Sequence, residues 1–196
     1  MTDEIRAALD PVADALNDLR VPFRIGGSVA SSILGVARST LDVDLVADLR
    51  EAHVVPLVRR LLPDYYADEE MIRDAIRRQD SFNLIHLATM LKIDVFVLKR
   101  RPFDLQAFSR VTYERLGEGP DARELPLTTA EDIVIHKLDW FRLGGGASKR
   151  QWEDVLGVLK LQAESLDRAY MEHWARELDL DQMLSRAFAE AGLVSR

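Results

Sequence analysis

The 196-residue chain has no cysteine, so disulfides and thiolate metal sites are excluded and any metal must sit on oxygen or histidine ligands. It has no apolar run near the roughly 20 residues that a membrane-spanning helix needs. The opening Met1-Thr2-Asp3-Glu4 is acidic and has no apolar stretch of the secretory kind, so a cytoplasmic protein with no membrane partner is expected. Positive charge is in deficit. The 26 lysines and arginines against 33 acids leave a net charge of −7, which argues against broad coating of nucleic acid. Local basic pairs such as Arg59-Arg60, Arg77-Arg78 and Lys149-Arg150 leave a basic cleft open, although a solvated face is the ordinary use of each.

What is present is an ordinary globular balance, 47 % hydrophobic and 30 % charged, in a length that suits one domain or two small ones. Residues 3–19 carry apolar side chains at helical spacing, from Ile5 to Leu19. A short strand over 21–25 runs into Gly26-Gly27, a helix over 28–34 stops at Gly35, and Leu41 to Ala47 alternates at strand period. Helices over 52–62 and 69–78 precede two strands, 82–86 and 92–98. A helical turn is expected over 102–108, then a strand over 111–116 that can pair with 123–126. After Pro126 the texture becomes helical. Thr128 or Thr129 can cap a helix to about Leu143, Gly144-Gly145-Gly146 breaks it, Ser148 caps the next, and two more follow over about 166–177 and 180–191. The expected class is therefore α+β, a mixed sheet flanked by helices and followed by a C-terminal helical bundle. The expected domains are 1–126 and 127–196.

Chemistry concentrates in residues 26–44. Gly26-Gly27 falls between a strand and a helix start, where free N–H groups and the helix dipole favour anions. Ser28 can add a hydroxyl for a phosphate oxygen or simply cap the helix. Asp42 and Asp44, two apart on a strand, point to one face and can bracket one Mg²⁺. Asp94 lies in a second strand of the same texture, Lys-Ile-Asp-Val-Phe-Val, where a carboxylate calls for a purpose. If the two strands are neighbours, three carboxylates converge in a way that suits two-metal chemistry on a polyphosphate. Arg38 can meet a phosphate and Thr40 can orient a carboxylate, or both serve the turn. His86 lies at a strand end, either near the cleft or as a structural histidine. Trp140 packs in the core or walls a nucleobase pocket.

Gly-Gly-Ser-Val-Ala, then Arg-Ser-Thr-Leu-Asp-Val-Asp-Leu, then a later strand aspartate, resembles the nucleotidyltransferase fold of the DNA polymerase β superfamily. The segments Ser81-Phe82-Asn83-Leu84-Ile85-His86, Glu131-Asp132-Ile133-Val134-Ile135-His136-Lys137-Leu138 and Gln151-Trp152-Glu153-Asp154-Val155-Leu156 are similar to the AbiEii/AbiGii toxin-like members. The resemblance spans roughly residues 20–160. It implies that Gly26, Gly27 and Ser28 hold a nucleoside triphosphate, with Arg38 and Thr40 beside them. It further implies that Asp42 and Asp44 bind Mg²⁺ or Mn²⁺ and that Asp94 is the third, base-like carboxylate. Lys137 would reach the triphosphate from the helical half, which completes the cleft, and Asp154 would lie near as a metal, nucleotide or lysine partner. The implied activity moves a nucleotidyl group to an acceptor hydroxyl on tRNA, protein or a small molecule, as in a toxin with an antitoxin partner. The competing expectation is a catalytically silent nucleotide-binding or antitoxin-like module.

Overall fold

The structure, a computed structural model, describes residues 3–35, 42–116 and 123–193, with Asp42 and Leu116 described by their backbone alone. In chain order its first elements are α1 (Asp3–Asp18), β1 (Phe23–Ile25), α2 (Gly27–Leu34), β2 (Asp42–Ala47), α3 (Val54–Leu61), β3 (Tyr65–Tyr66), α4 (Glu69–Arg78), β4 (Ser81–His86) and β5 (Leu91–Val97). Then come α5 (Pro102–Ser109), β6 (Thr112–Leu116), β7 (Arg123–Leu127), α6 (Ala130–Leu143), α7 (Lys149–Leu161), α8 (Arg168–Glu177) and α9 (Asp181–Glu190). They fall into two compact units. One is Met1–Gly26 with Thr40–Leu127, and the other is Gly27–Ser39 with Thr128–Arg196.

The first unit is a seven-stranded mixed sheet in the order β3-β4-β5-β2-β1-β7-β6, flanked by helices. β2 runs parallel to β5 and β1 parallel to β7, while the remaining neighbours are antiparallel. Alternation decides which side is dry. Val43, Leu45 and Ala47 of β2, Ile93, Val95 and Val97 of β5, and Phe82 and Leu84 of β4 are all buried on one face. Helices α1 and α4 pack on β5, α4 also meets β4, and α3 lies against both helices. Their apolar stripes, including Leu9, Leu16, Leu57, Leu61 and Ile72, complete this core. The in-between residues of the strands are left for the opposite face.

Local signals explain the helix ends. Asp68 accepts a hydrogen bond from the Met71 N–H and caps α4, whose first turn is acidic and whose last turn is Arg77-Arg78. The expected helix over 52–62 is a 3₁₀ turn at Glu51–His53 followed by α3. β3 was not foreseen. Two residues long at the sheet edge, it has no period to display.

The second unit is helical. α2 packs on α6 and α7, α6 meets α7, α8 and α9, and α9 also contacts α7 and α8. Thr129 caps α6 by accepting from Asp132 N–H, and Ser148 caps α7 by accepting from Gln151 N–H. Gly35 ends α2 at a close approach. A Cβ built there would stand 2.6 Å from Ser31 O and 3.0 Å from the Val158 backbone nitrogen.

Candidate functional site

The acid-bearing face of the sheet follows from strand parity. With Val43 and Leu45 turned into the core, Asp44 belongs to the other side, and the alternation in β5 does the same for Lys92, Asp94 and Phe96. The parallel register then pairs Asp44 with Asp94 and Asp42 with Lys92. Directly paired residues share a face, so the structure brings Asp44 and Asp94 together on neighbouring strands about 4.8 Å apart. Asn83 of β4 continues the row beyond Asp94. On the other flank, Gly26 N–H donates to Asp44 O at 3.0 Å, which sets the start of the diglycine turn beside the β2 backbone at that aspartate.

Two carboxylates facing the same way repel unless a cation sits with them. Lys92 supplies one. Its Nζ is 2.8 Å from Asp94 Oδ2, with side-chain exposures of 41 % for the lysine and 18 % for the aspartate. The place therefore already draws positive charge. Its hard oxygen donors suit Mg²⁺ or Mn²⁺ chemically. Among the described residues, which leave out the Asp42 side chain, no group of three His, Asp or Glu side chains is arranged to hold a metal. Arg38 and Thr40 lie outside the described residues.

Gly27 opens α2 at φ +52°, a left-handed conformation that glycine adopts without steric cost. Ser28 follows it, and Ser31 Oγ donates back to Ser28 O at 3.1 Å. Both residues belong to the helical unit, which also holds Lys137 and Asp154. Lys137 Nζ donates to Asp154 Oδ2 at 2.8 Å across α6 and α7, with exposures of only 12 % and 9 %. Ile133, Leu138 and Phe141 form the apolar face of α6 beside this pair. Nearby, Asp132 is fully buried and takes hydrogen bonds from Thr129 Oγ1 at 2.7 Å and Tyr170 Oη at 2.5 Å. That network ties α8 to the N-terminus of α6.

His86 stands apart from the acids. It shares the core side of β4 with Phe82 and Leu84, whereas Asp94 is on the opposite face. Its Nδ1 lies 2.8 Å from Thr89 Oγ1 and its ring packs 5.0 Å from Tyr65, so it anchors the β4–β5 connection. Trp140 is 46 % exposed on α6. Sequence reasoning missed two groups on the acid face, Lys92 and Arg24 of β1. The alternation that placed Asp94 also places Lys92. Arg24 left no signal, since arginine in a short strand is ordinary.

No protein-family model matches the chain, and no curated protein is significantly similar to it. Solved structures are. An antigenic nucleotidyltransferase-like protein from Paracoccidioides brasiliensis superposes with a TM-score of 0.50 at 18 % identity, covering 96 % of this chain and 93 % of its own. The antibiotic-resistance factor ANT(2'')-Ia superposes with a TM-score of 0.55 at 14 % identity, covering 97 % and 96 %. At these identities the likeness is one of fold, and the fold is nucleotidyltransferase-like.

Proposed function

We propose that this chain is a nucleotidyltransferase. It takes a nucleoside triphosphate and moves the nucleotidyl group to an acceptor hydroxyl. One observation carries the reading: Asp44 and Asp94 are direct partners on parallel strands, on one face, beside the Gly26 turn. The nucleotidyltransferase-like fold supports it.

In the proposed reaction the acceptor oxygen bonds to the α-phosphorus, the bond to the bridging oxygen breaks, and pyrophosphate leaves. Asp94 takes the proton of the acceptor hydroxyl. Asp42, Asp44 and Asp94 would hold Mg²⁺ or Mn²⁺, whose charge neutralises the triphosphate when bound. Gly26, Gly27, Ser28 and Lys137 are proposed to contact phosphate, with Arg38 and Thr40 as further candidates and Asp154 as the group that holds Lys137. Such chemistry depends on positioning and charge stabilisation rather than on covalent work by the protein. The acceptor class is a hydroxyl of tRNA, protein or a small molecule. A toxin of a toxin–antitoxin pair is the form of this activity that the AbiEii-like segments favour.

The test is incubation with each α-labelled triphosphate, Mg²⁺ and a cell extract. Label should pass to one acceptor class with release of pyrophosphate, and Asp44→Asn or Asp94→Asn should lower the rate by about a hundredfold or more while the melting temperature holds. Equal rates in the variants would remove both aspartates from the chemistry. Nucleotide binding without any transfer would instead identify a silent nucleotide-binding module.

A further inference from the structure

β1 carries a cation onto the same face as the acids. Arg24 pairs with Val46 of β2, one two-residue step along from the Gly26–Asp44 contact. Strand parity therefore puts its side chain on the side of Asp44 and Asp94, about 7 Å further along the strand. The guanidinium lies over the Phe108 ring of α5, 4.8 Å from its centroid, and Nη1 donates to Phe23 O at 2.7 Å. Nε is buried and has no hydrogen-bond partner among the described residues.

Three other arginines of this unit sit against acids. Arg100 meets Asp48, Arg101 meets Asp104 and Arg123 meets Asp14. Arg24 has no acid beside it among the described residues. Burial draws its pKa below the ordinary guanidinium value, and the nearby Tyr113 opposes that only in part. A guanidinium has five N–H donors in a planar fork, and stacking on an aromatic ring fixes the plane of that fork. Desolvation without a counter-charge is costly unless an anion completes the site.

We infer that Arg24 is an oxyanion-binding residue, whose remaining N–H groups receive a phosphate or carboxylate of a reactant engaged at Asp44 and Asp94. The inference rests on the nucleotidyl-transfer reading for what that reactant is. The anion comes either from the polyphosphate of the nucleotide or from an acidic group on the acceptor. In both cases Arg24 sets specificity by requiring negative charge about 7 Å from the acid pair.

The experiment is a metal-free titration of the ¹⁵N-labelled protein with inorganic phosphate, read at the arginine Nε–Hε resonances, followed by a titration with ATP. The Arg24 signal, identified by its loss in Arg24→Lys, should shift on adding phosphate. Phosphate affinity should fall about tenfold or more in Arg24→Gln, the scale of a charge-assisted contact. Arg24→Lys keeps the charge and loses the fork, so it should fall by a smaller factor, and it serves if the glutamine variant does not fold. An equal fall for ATP assigns the anion to the nucleotide. ATP affinity that stays at the wild-type level while phosphate binding falls assigns it to the acceptor. An unmoved Arg24 resonance, or phosphate binding of wild-type strength in both variants, would overturn the inference and leave Arg24 as a strut between β1 and α5. Arg24-dependent phosphate binding in a protein that transfers no nucleotide would sink the parent reaction and keep the anion site.

Discussion

Lys137 and Asp154 face each other from successive helices with 2.8 Å between Nζ and Oδ2, and both side chains are nearly shut away from water. Breaking a buried ion pair by removing one partner costs about 3–5 kcal/mol, whereas replacing both with apolar groups of similar size is far milder. Lys137→Ala should therefore lower the melting temperature by many degrees, and Lys137→Met with Asp154→Leu should recover most of it. Thermal melts of the single and double variants check this. A triphosphate contact at Lys137 would leave a separate mark: the double variant would be stable yet bind nucleotide more weakly.

Lys92 sits where a divalent ion would compete for Asp94. Lys92→Met deletes that competitor and should tighten Mn²⁺ binding by about three- to tenfold, the range expected for one unit charge at a partly exposed site. Paramagnetic titration of free Mn²⁺ gives the measurement. Affinity equal to that of the wild type would show that the lysine does not occupy the ion's place.

Gly35→Ala would press a methyl group onto Ser31 O and the Val158 nitrogen, both backbone atoms that cannot swing aside. The strain should cost about 1–3 kcal/mol. Urea unfolding of the variant, with the midpoint moved down and the slope kept, is the expected result.

Tyr65 is buried and its hydroxyl donates to Ala8 O at 2.7 Å. Burial, helped by Asp64 and Asp10, raises its pKa well above the ordinary 10.0. The folded protein thus resists losing that proton while the unfolded chain gives it up near 10. The stabilisation is complete below that pH and is lost as pH climbs toward the folded-state value. Tyr65→Phe should cost about 0.5–1.5 kcal/mol at neutral pH, the worth of the hydrogen bond. It should also flatten the decline in stability seen above pH 10 in denaturant titrations. An unchanged alkaline slope would show that another group governs it.

Much of this architecture can be read locally. The caps at Asp68, Thr129 and Ser148 and the alternation of β2 and β5 are written within a few residues of where they act. Asp44 and Asp94 could be set on strands by pattern, but their adjacency depends on a pairing between distant segments. Only the sheet order reveals it. The parallel contact of β1 with β7 is of the same long-range kind. His86 shows how parity alone can exclude a candidate. Counting from Phe82 puts it on the dry side, once the core face is known. Lys137 was legible as a residue at the edge of an apolar face. That it is sealed against Asp154 is a tertiary fact, since neither helix advertises the other's charge.

α2 is encoded between two strands of the sheet, yet it packs on α6 and α7. The ribosome therefore releases this helix well before its partners exist, and Val29, Ala30 and Leu34 must wait for a bundle still to be synthesised. No uninterrupted piece of the gene can encode the complete helical half. Obtaining that half alone would require a permuted chain, or a synthetic α2 peptide added to the C-terminal fragment.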